Sequence, residues 1–489
     1  MTAVAARGRA SLRIAILGAG PGGLCAAIRL REAGFRDVVL LEKSAGVGGT
    51  WYHNRYPGCA CDIPSHLYSF SFAIKRDWSR PYAPQAEILA YMQGIAEEYG
   101  VLPLCRFGCE VTGARWDDAR AVWTVELASG EELEADVVVS ALGMFNELAW
   151  PEVEGLEAFA GTRFHSARWR FDHDLRGRRV AVIGSAASAV QFVPEIAPRT
   201  GHLTLYQRTA NWVLPKEDVP FTEEQLAHLR GDPDAALAIR QEIFDRVDGG
   251  LTFDDARALA EYEATGLAAL EVVEDPTVRA KLRPTHPWGC KRPLYSNDYY
   301  PTFNRANVEL VTEPIARIES DGVRTRDGVL READTLILAT GFSATKYLSA
   351  IDVRGRGGRR IDEAWRDGAR AYLGVATSGF PNLFMLYGPN TNNGSILTMI
   401  EAQAAYAVRH IEWIADEGLA WVDVREEPME RYNDELQRAI ADVAVWQADC
   451  HGYYRTPAGR VVTQWPHTMT EFRERTEKPD ADVYEVHRR

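Results

Sequence analysis

The chain has 489 residues, more than one ordinary domain, and this length predicts about three domain-sized units. Its composition, 46% hydrophobic and 25% charged, is that of a globular protein, and no apolar run approaches the roughly 20 residues that cross a bilayer. A formal net charge of −14 disfavours nucleic acid and anionic membranes, because both attract basic proteins. We therefore expect a small-molecule partner, no nucleic-acid or membrane partner, and a monomer or weak homo-oligomer.

The cysteines and the N-terminus bear on the cellular compartment. Seven cysteines are scattered along the chain, and the spacing of Cys59 and Cys61 suits neither a zinc site nor a disulfide framework. The first 13 residues carry three arginines but no cleavage-site pattern, so we expect a short tail and not an export signal. These features predict a protein of the reducing cytoplasm without a metal site.

The chain opens with a pattern typical of a dinucleotide-binding unit. An apolar run is followed by Gly18, Gly20 and Gly23, then by a helical pattern over 24–33 and a second apolar run over 37–42. This order predicts strand, turn, helix and strand within about 30 residues, the size of a βαβ element. The first glycine permits a tight turn, the second lets a pyrophosphate approach, and the third packs helix on strand.

Glu42 stands at the end of the second predicted strand. A carboxylate at this position accepts hydrogen bonds from both ribose hydroxyls of an adenosine. The same carboxylate repels a 2′-phosphate. The first site is therefore predicted to hold FAD rather than NADP.

A second unit of the same design spans 179–208, where the pattern again predicts strand, helix and strand. Its motif reads Gly184-x-Ala186-x-x-Ala189, with alanine where the middle glycine is expected. The extra methyl group of Ala186 lies where the pyrophosphate normally comes closest. We therefore expect weaker or slightly displaced binding in this second unit.

The end of the next strand offers Gln207-Arg208-Thr209 in place of a carboxylate. A guanidinium binds a phosphate through two parallel hydrogen bonds, which favours NADPH over NADH. Arg208 alone also fits a solvated surface charge, and its position directly after a βαβ unit favours the coenzyme interpretation.

The remaining segments complete an α/β fold of two nested Rossmann-like domains, one for FAD and one for NADPH, with helices inserted in the second. The stretch from 221 to 281 is rich in helix formers and predicts a scaffold or lid, and 335–339 predicts a buried strand. A polar loop begins at Gly388 and precedes a predicted helix over 396–417, which could deliver backbone amides to a cofactor. The expected boundaries are 1–148 and 346–489 for the FAD domain, 149–220 and 284–345 for the NADPH domain, and 221–283 for the insertion.

Three stretches carry a more specific resemblance. They are Phe159-x-Gly161-x-x-x-His165-x-x-x-Trp169, then Gly49-x-Trp51 leading to Tyr56-Pro57-Gly58-x-x-x-Asp62, and Gly289-Cys290-Lys291-Arg292 followed by Asp298-Tyr299-Tyr300. The first resembles the fingerprint of the Baeyer–Villiger monooxygenases, and the other two are similar to further segments of that flavin-dependent family. The chain departs from the family pattern at Ala186, Arg170 and Ser343.

The resemblance implies an FAD-dependent NADPH monooxygenase. In that family NADPH reduces the flavin, which combines with O2 to a C4a-peroxyflavin that converts a ketone into an ester or lactone. Arg292 is then the catalytic cation that stabilises the peroxyanion and the tetrahedral adduct, and Asp62 holds it in place. Lys291 points to the opposite face of an extended segment and is expected at the coenzyme phosphates.

The motifs and the resemblance together give the expected site residues. The catalytic residues are Arg292 and Asp62. The cofactor-binding residues are Gly18, Gly20, Gly23, Glu42, Gly49, Thr50, Trp51, Asp62, Tyr68, Val111, Gly184, Ser185, Ser188, Arg208, Thr209 and Lys291. His165 and Trp169 are expected to shape the interdomain linker without taking part in the chemistry.

Three alternatives stay open. An S- or N-oxygenating flavin monooxygenase uses the protonated form of the same oxidant. A flavin-dependent disulfide reductase needs a CxxC or CxxxxC pair, a spacing that Cys59 and Cys61 lack. A nucleotide-binding sensor without turnover is favoured only by Ala186. The sequence does not distinguish linear, cyclic, aromatic and polycyclic ketones.

Overall fold

The computed structural model describes residues 8–250, 252–450 and 452–488. Residues 1–7, which form half of the predicted N-terminal tail, lie outside the described residues. The strands and helices form the predicted α/β fold.

Up to residue 150, the described part of the chain contains seven strands and three α-helices. The strands are β1 Ile14–Leu17, β2 Val38–Glu42, β3 Cys105–Phe107, β4 Val111–Asp117, β5 Val122–Leu127, β6 Glu132–Ala135 and β7 Val137–Ser140. The helices are α1 Pro21–Glu32, α2 Thr50–His53 and α3 Gln85–Glu98.

The elements between residues 151 and 345 include most of the helical insertion. The strands are β8 Thr162–His165, β9 Arg179–Ile183, β10 His202–Tyr206, β11 Val213–Leu214, β12 Leu294–Tyr295, β13 Val308–Val311, β14 Ile315–Glu319, β15 Gly322–Thr325, β16 Leu330–Glu332 and β17 Thr335–Leu338. The helices are α4 Ala187–Ile196, α5 Glu223–Gly231, α6 Pro233–Gly250, α7 Ala256–Leu270, α8 Pro276–Leu282 and α9 Tyr299–Thr302.

The remaining elements are mostly helical. The strands are β18 Asp352–Arg354, β19 Leu383–Met385, β20 Leu419–Val424 and β21 Tyr484–Arg488. The helices are α10 Ile361–Ala364, α11 Ile396–Asp416, α12 Glu426–Asp442, α13 Ala444–Gln447 and α14 Met469–Glu477.

Two parallel five-stranded sheets organise the molecule. The first has the order β19-β7-β1-β2-β3, and the second has the order β13-β10-β9-β17-β8. Strand β19 belongs to the first sheet but follows all strands of the second sheet in the chain. The second domain is therefore nested within the first, as predicted. The central strands β1, β7, β9 and β17 are almost entirely buried, because helices cover both faces of a parallel sheet.

The segment between β11 and β12 is helical, as predicted. Helix α5 begins with a capping box between Thr222 and Gln225, and the aspartates before α7 and α8 cap those helices. The insertion is also tied to the first domain. Arg240 of α6 is buried and donates from Nη1 to three carbonyl oxygens of the loop that follows Asp62, those of His66, Leu67 and Ser69, at 3.0, 3.0 and 2.7 Å.

Two connections between the domains run side by side. The Ala149 amide donates to the Gly341 carbonyl oxygen at 2.9 Å, and the Ser343 amide donates to the Glu147 carbonyl oxygen at 2.9 Å. The imidazole of His165 packs against Phe342 of the second connection, with 6.1 Å between ring centres. The relative placement of the two sheets is therefore fixed by paired backbone and by a buried histidine.

One expectation about the cysteines is wrong. Cys290 and Cys450 form a disulfide with a Cα–Cα distance of 6.4 Å, although 160 residues separate them. The other five cysteines are free. A pairing over this distance leaves no local spacing pattern, so the sequence could not indicate it.

Two further observations concern the surface and the metal content. Among the described residues no helix combines the length and the apolar character that crossing a membrane requires. Within the same ranges, no three histidine, cysteine or acidic side chains are grouped so as to hold a metal ion.

Candidate active site

The turn after β1 is built from glycines that have no room for a side chain. Gly18 has a φ of +100°, and a Cβ atom there would lie 2.9 Å from the Ala141 carbonyl oxygen. A Cβ atom on Gly23 would overlap the Gly18 carbonyl oxygen. The turn is fixed to the neighbouring strand by the Gly18 amide, which donates to the Leu41 carbonyl oxygen at 2.8 Å. Only glycine fits here, as the motif predicts.

A second glycine turn lies directly on the first. Gly49 has a φ of +55°, and a Cβ atom on it would lie 2.8 Å from the Gly20 Cα atom. The Gly48 amide donates to the Ala19 carbonyl oxygen at 3.0 Å. Helix α1 begins here with Gly20 as its cap and without a side-chain hydrogen bond to its first amides. These free amides suit a phosphate group.

Glu42 lies at the rim of these turns and is 6% exposed. Its two carboxylate oxygens accept hydrogen bonds from the Ala19 amide at 2.9 Å and the Ser44 amide at 2.8 Å. Each carboxylate oxygen keeps a further lone pair, which leaves capacity for ribose hydroxyls. The Cys109 amide donates to the Glu42 carbonyl oxygen, which places Val111 at the start of β4 near the same rim. We call the Gly18–Gly23 turn, the 48–51 turn and Glu42 the first cradle.

The side chains of Trp51 and Tyr68 contact each other at the edge of the first cradle. The Trp51 indole Nε1 donates to the Tyr68 hydroxyl at 3.0 Å, and both side chains are buried. The Gln85 side-chain amide donates to the Trp51 carbonyl oxygen. Thr50 begins the short helix α2 beside them. These four residues fix the wall of the cradle against the body of the first domain.

The turn after β9 repeats the plan of the first cradle. Gly184 has a φ of +104°, and a Cβ atom on it would overlap the Ala339 carbonyl oxygen. Its amide donates to the Tyr206 carbonyl oxygen at 3.1 Å. Helix α4 begins at an exposed Ala186 without a side-chain cap, between buried Ser185 and half-buried Ser188.

Two cations lie near this second turn. Arg208 follows β10 and is exposed, next to a half-buried Thr209. Burial and the Arg208 charge lower the pKa of Lys291. The Arg208 guanidinium therefore lies near Lys291, and two neighbouring cations suit an anion. We call the Gly184–Ala189 turn, Arg208 and Lys291 the second cradle.

Arg292 and Asp62 form a bidentate ion pair across 230 residues of sequence. Nη2 of Arg292 lies 2.6 Å from both carboxylate oxygens of Asp62, and Nε lies 3.1 Å from Oδ2. The exposed fractions of the two side chains are 33% and 23%. The Asp62 carboxylate raises the pKa of Arg292 well above its usual value, so the guanidinium stays charged.

The segment that carries Asp62 is braced against the second domain. The Tyr56 hydroxyl donates to Gln191 Oε1 at 3.0 Å, and Gln191 Nε2 donates to the Ala60 carbonyl oxygen at 2.9 Å. A Cβ atom on Gly58 would lie 2.8 Å from the Gln191 carbonyl oxygen. Gln191 lies on α4 and carries no motif, so only the folded chain shows this contact.

His165 and Trp169 of the fingerprint are held by contacts within the protein. Trp169 packs edge-on against Phe164 and tilted against Phe192, each with 5.2 Å between ring centres. His165 accepts a hydrogen bond on Nδ1 from the Ala167 amide at 3.1 Å, and burial lowers the pKa of His165 to about 4. His165 is therefore neutral and lies against the interdomain connections. This position supports a role for His165 in holding the two domains together.

Cys59 and Cys61 are poor candidates for disulfide chemistry. Burial raises the pKa of Cys59 to about 12 and also raises the pKa of Cys61. Reaction with a disulfide requires the thiolate, which these buried thiols do not form near neutral pH.

The fold and the two cradles define a two-dinucleotide oxidoreductase. Consistent with this class, residues 15–239 match the family described as pyridine nucleotide-disulphide oxidoreductase.

Comparisons with individual proteins narrow the class. A Baeyer-Villiger monooxygenase of Pseudomonas aeruginosa is 40% identical over 481 residues, which cover 97% of this chain and 91% of that protein. The structure of cyclohexanone monooxygenase from Rhodococcus sp. Phi1 bound to NADP+ matches with a TM-score of 0.89 at 30% identity, covering 98% of this chain and 99% of that one. The structure of OTEMO in complex with FAD and NADP matches with a TM-score of 0.89 at 28% identity, covering 97% of this chain and 99% of that one. The chain belongs to the Baeyer–Villiger monooxygenase family.

Proposed function

We propose that the protein uses FAD, NADPH and O2 to insert one oxygen atom beside a ketone carbonyl, giving an ester or lactone. The observation that carries this proposal is the bidentate Arg292–Asp62 pair, which supplies a permanently charged guanidinium near two dinucleotide cradles. The chain's membership in the Baeyer–Villiger family supports the same reaction.

The first cradle fits FAD. Its glycines permit the tight turn that precedes helix α1, this helix begins without a side-chain cap, and Glu42 is held at the rim for a ribose. The related OTEMO structure contains FAD and NADP. When bound and reduced, FAD supplies the chemistry that activates O2. Gly49, Thr50, Trp51, Asp62, Tyr68 and Val111 are the other residues that we propose to surround it.

The second cradle fits NADPH. The turn at Gly184 and the uncapped start of α4 suit a pyrophosphate, with Ser185 and Ser188 beside it. Arg208, Thr209 and Lys291 would hold the 2′-phosphate, since Arg208 and Lys291 lie close enough for one charge to lower the pKa of the other.

The role of Arg292 follows from its geometry. Asp62 engages Nε and Nη2, so the other terminal nitrogen, Nη1, lies outside the pair and keeps its donors for a substrate. Negative charge develops on the ketone oxygen during oxygen insertion, and a fixed cation stabilises it without giving up a proton. Asp62 orients the guanidinium and keeps it charged.

The organisation of the chain and its surroundings are part of the proposal. We propose an FAD domain over 1–148 and 346–489, an NADPH domain over 149–220 and 284–345, and a helical insertion over 221–283. Five of the seven cysteines are free, which is typical of a cytoplasmic enzyme, whereas the Cys290–Cys450 disulfide is an exception to that pattern. The charge of −14 supports a monomer or weak homo-oligomer.

The test begins with the purified protein, its flavin spectrum and a panel of small ketones. NADPH oxidation is followed under air, while mass spectrometry quantifies ester or lactone and peroxide is measured separately. We expect ketone-dependent product. Conversion of sulfides with every ketone untouched would show an S- or N-oxygenating enzyme instead.

Arg292→Ala tests the assigned cation. Loss of one such electrostatic group typically lowers the rate about 100- to 1,000-fold, so ester formation should fall by this factor while NADPH still reduces the flavin. Arg292→Lys is the matched variant, since it keeps the charge but loses the fork that binds Asp62. A normal ester yield in Arg292→Ala would contradict the assignment.

A further inference from the structure

Four tyrosines lie near the Arg292–Asp62 pair: Tyr347, Tyr387 and Tyr454 are buried and Tyr453 is half-buried. The charges of this pair act on both Tyr387 and Tyr454, and the phenol of Tyr453 acts on both of these and on Tyr347. The four phenols therefore lie near one another and near Arg292. None of them belongs to a motif in the sequence.

Two of these hydroxyls have structural partners. The Tyr347 hydroxyl donates to the Val462 carbonyl oxygen at 3.0 Å, and the Tyr387 hydroxyl donates to Asn392 Oδ1 at 2.5 Å. Both bonds join these side chains to the chain segments on either side of α11. The hydroxyl donors of Tyr347 and Tyr387 are therefore already used within the protein.

Tyr453 differs from them. Its hydroxyl is buried and makes no ordinary hydrogen bond to any of the described residues. A buried hydroxyl without a partner is unfavourable, so such a group calls for an explanation. The negative charge of an ionised Tyr453 phenol would raise the pKa of Arg292, as expected for two side chains that lie close together.

Contacts with three parts of the protein hold Tyr453 and its neighbours in place. Its ring lies edge-on to Phe145, with 5.6 Å between ring centres, in the first connection between the domains. Gly452 lies against Lys291, since a Cβ atom on this glycine would be 3.6 Å from Lys291 Cγ. The Cys290–Cys450 disulfide joins the two segments that carry Arg292 and Tyr453, within three residues of each. The hydroxyl is thus held beside Arg292 by covalent and packing contacts.

We infer that Tyr453 is a second hydrogen-bond donor of the active site and that its hydroxyl donates to the ketone oxygen beside Nη1 of Arg292. This inference rests on the proposed function. Two donors aimed at one oxygen stabilise the charge that develops there, and a donor already free of other acceptors requires no rearrangement. The unpartnered hydroxyl is then satisfied by substrate.

Tyr453→Phe removes the hydroxyl and keeps the ring. We expect ester formation per bound flavin to fall about 100-fold in a single turnover, with peroxide released in its place. The rate of flavin reduction by NADPH and the KM for NADPH should not change. Tyr453→His restores a ring N–H donor and should recover part of the ester yield.

Tyr432→Phe is the matched control. The Tyr432 hydroxyl is also buried without a partner among the described residues, but it lies on α12 against Tyr372, with 5.3 Å between ring centres. Its removal should leave ester formation unchanged.

The outcomes separate the inference from the function on which it rests. A wild-type enzyme that forms no ester from any ketone contradicts the proposed function. Wild-type activity together with an undiminished ester yield per flavin in Tyr453→Phe overturns the inference alone. A fall in yield that is equal in Tyr453→Phe and Tyr432→Phe also overturns it, because the effect is then structural.

Discussion

The first and second cradles share one backbone plan and differ in charge at the same position. Each has a glycine at positive φ after its first strand and a helix that begins without a side-chain cap. The end of the next strand carries the buried carboxylate of Glu42 in one cradle and the exposed guanidinium of Arg208 in the other. In the proposed function the βαβ unit supplies phosphate binding in both cradles, and this one residue selects the dinucleotide.

The cradles also differ in how tightly they are closed. Gly20 of the first cradle lies against Gly49, which adds a second turn of backbone over the site. The corresponding Ala186 of the second cradle is exposed at the start of α4. This contrast suits a resident cofactor in the first cradle and a coenzyme that exchanges in the second.

Among the substitutions in the two cradles, Glu42→Ala should have the largest effect on cofactor binding. The change removes the acceptor of the Ala19 and Ser44 amides as well as the proposed ribose contact. Hydrogen bonds to a charged group contribute about 1.5–3 kcal/mol each, so FAD affinity should fall by about 100-fold or more. The flavin-to-protein absorbance ratio after gel filtration measures this loss. Full flavin content would show that Glu42 does not bind the cofactor, and Glu157→Ala, whose side chain is 83% exposed, is the control.

Arg208→Ala should act on the second cradle alone. Loss of a charge-assisted contact of about 1.5–3 kcal/mol predicts a KM for NADPH that rises about 10- to 100-fold, with little change for NADH. Steady-state kinetics with both coenzymes measure the difference. Arg257→Ala removes an arginine whose side chain is 88% exposed and should change neither value. Equal changes for NADPH and NADH would refute a 2′-phosphate contact.

Ala186→Gly should bring the second cradle closer to the first. Removal of the methyl group at the start of α4 lets the pyrophosphate approach the turn, so the KM for NADPH should fall severalfold. The flavin content should stay the same, since the first cradle is untouched. An unchanged KM would show that the methyl group lies clear of the coenzyme.

Acid should weaken both regions modestly. Burial lowers the pKa of His53 beside the first cradle, and of His165 and His286 in the second domain, to about 4. Unfolded chains bind protons on these groups near pH 6.5, so stability should be lost as the pH falls from 6.5 towards 4. Thermal unfolding across this range measures the loss, and His165→Gln should reduce the slope. A midpoint independent of pH would contradict the buried neutral state.

The sequence predicts the parts of this molecule that depend on local pattern. Buried parallel strands read as short apolar runs, so both βαβ units were evident, although α1 begins at Pro21 and not at Leu24 because proline suits the first helical turn. The pairing of Arg292 with Asp62 across 230 residues followed from a family resemblance. Arg240, Gln191, Tyr453 and the Cys290–Cys450 disulfide were missed, because each acts through contacts that only the folded chain creates.

In the proposed reaction, electrons from NADPH and an oxygen atom from O2 meet a ketone at Arg292. The most direct measurement supplies the wild-type enzyme with NADPH, a ketone and 18O2, and determines the label in the product by mass spectrometry. One labelled oxygen atom in each ester or lactone, with one NADPH consumed for each, is the predicted result. Unlabelled product, or NADPH consumption that yields only peroxide with every ketone, would contradict the account.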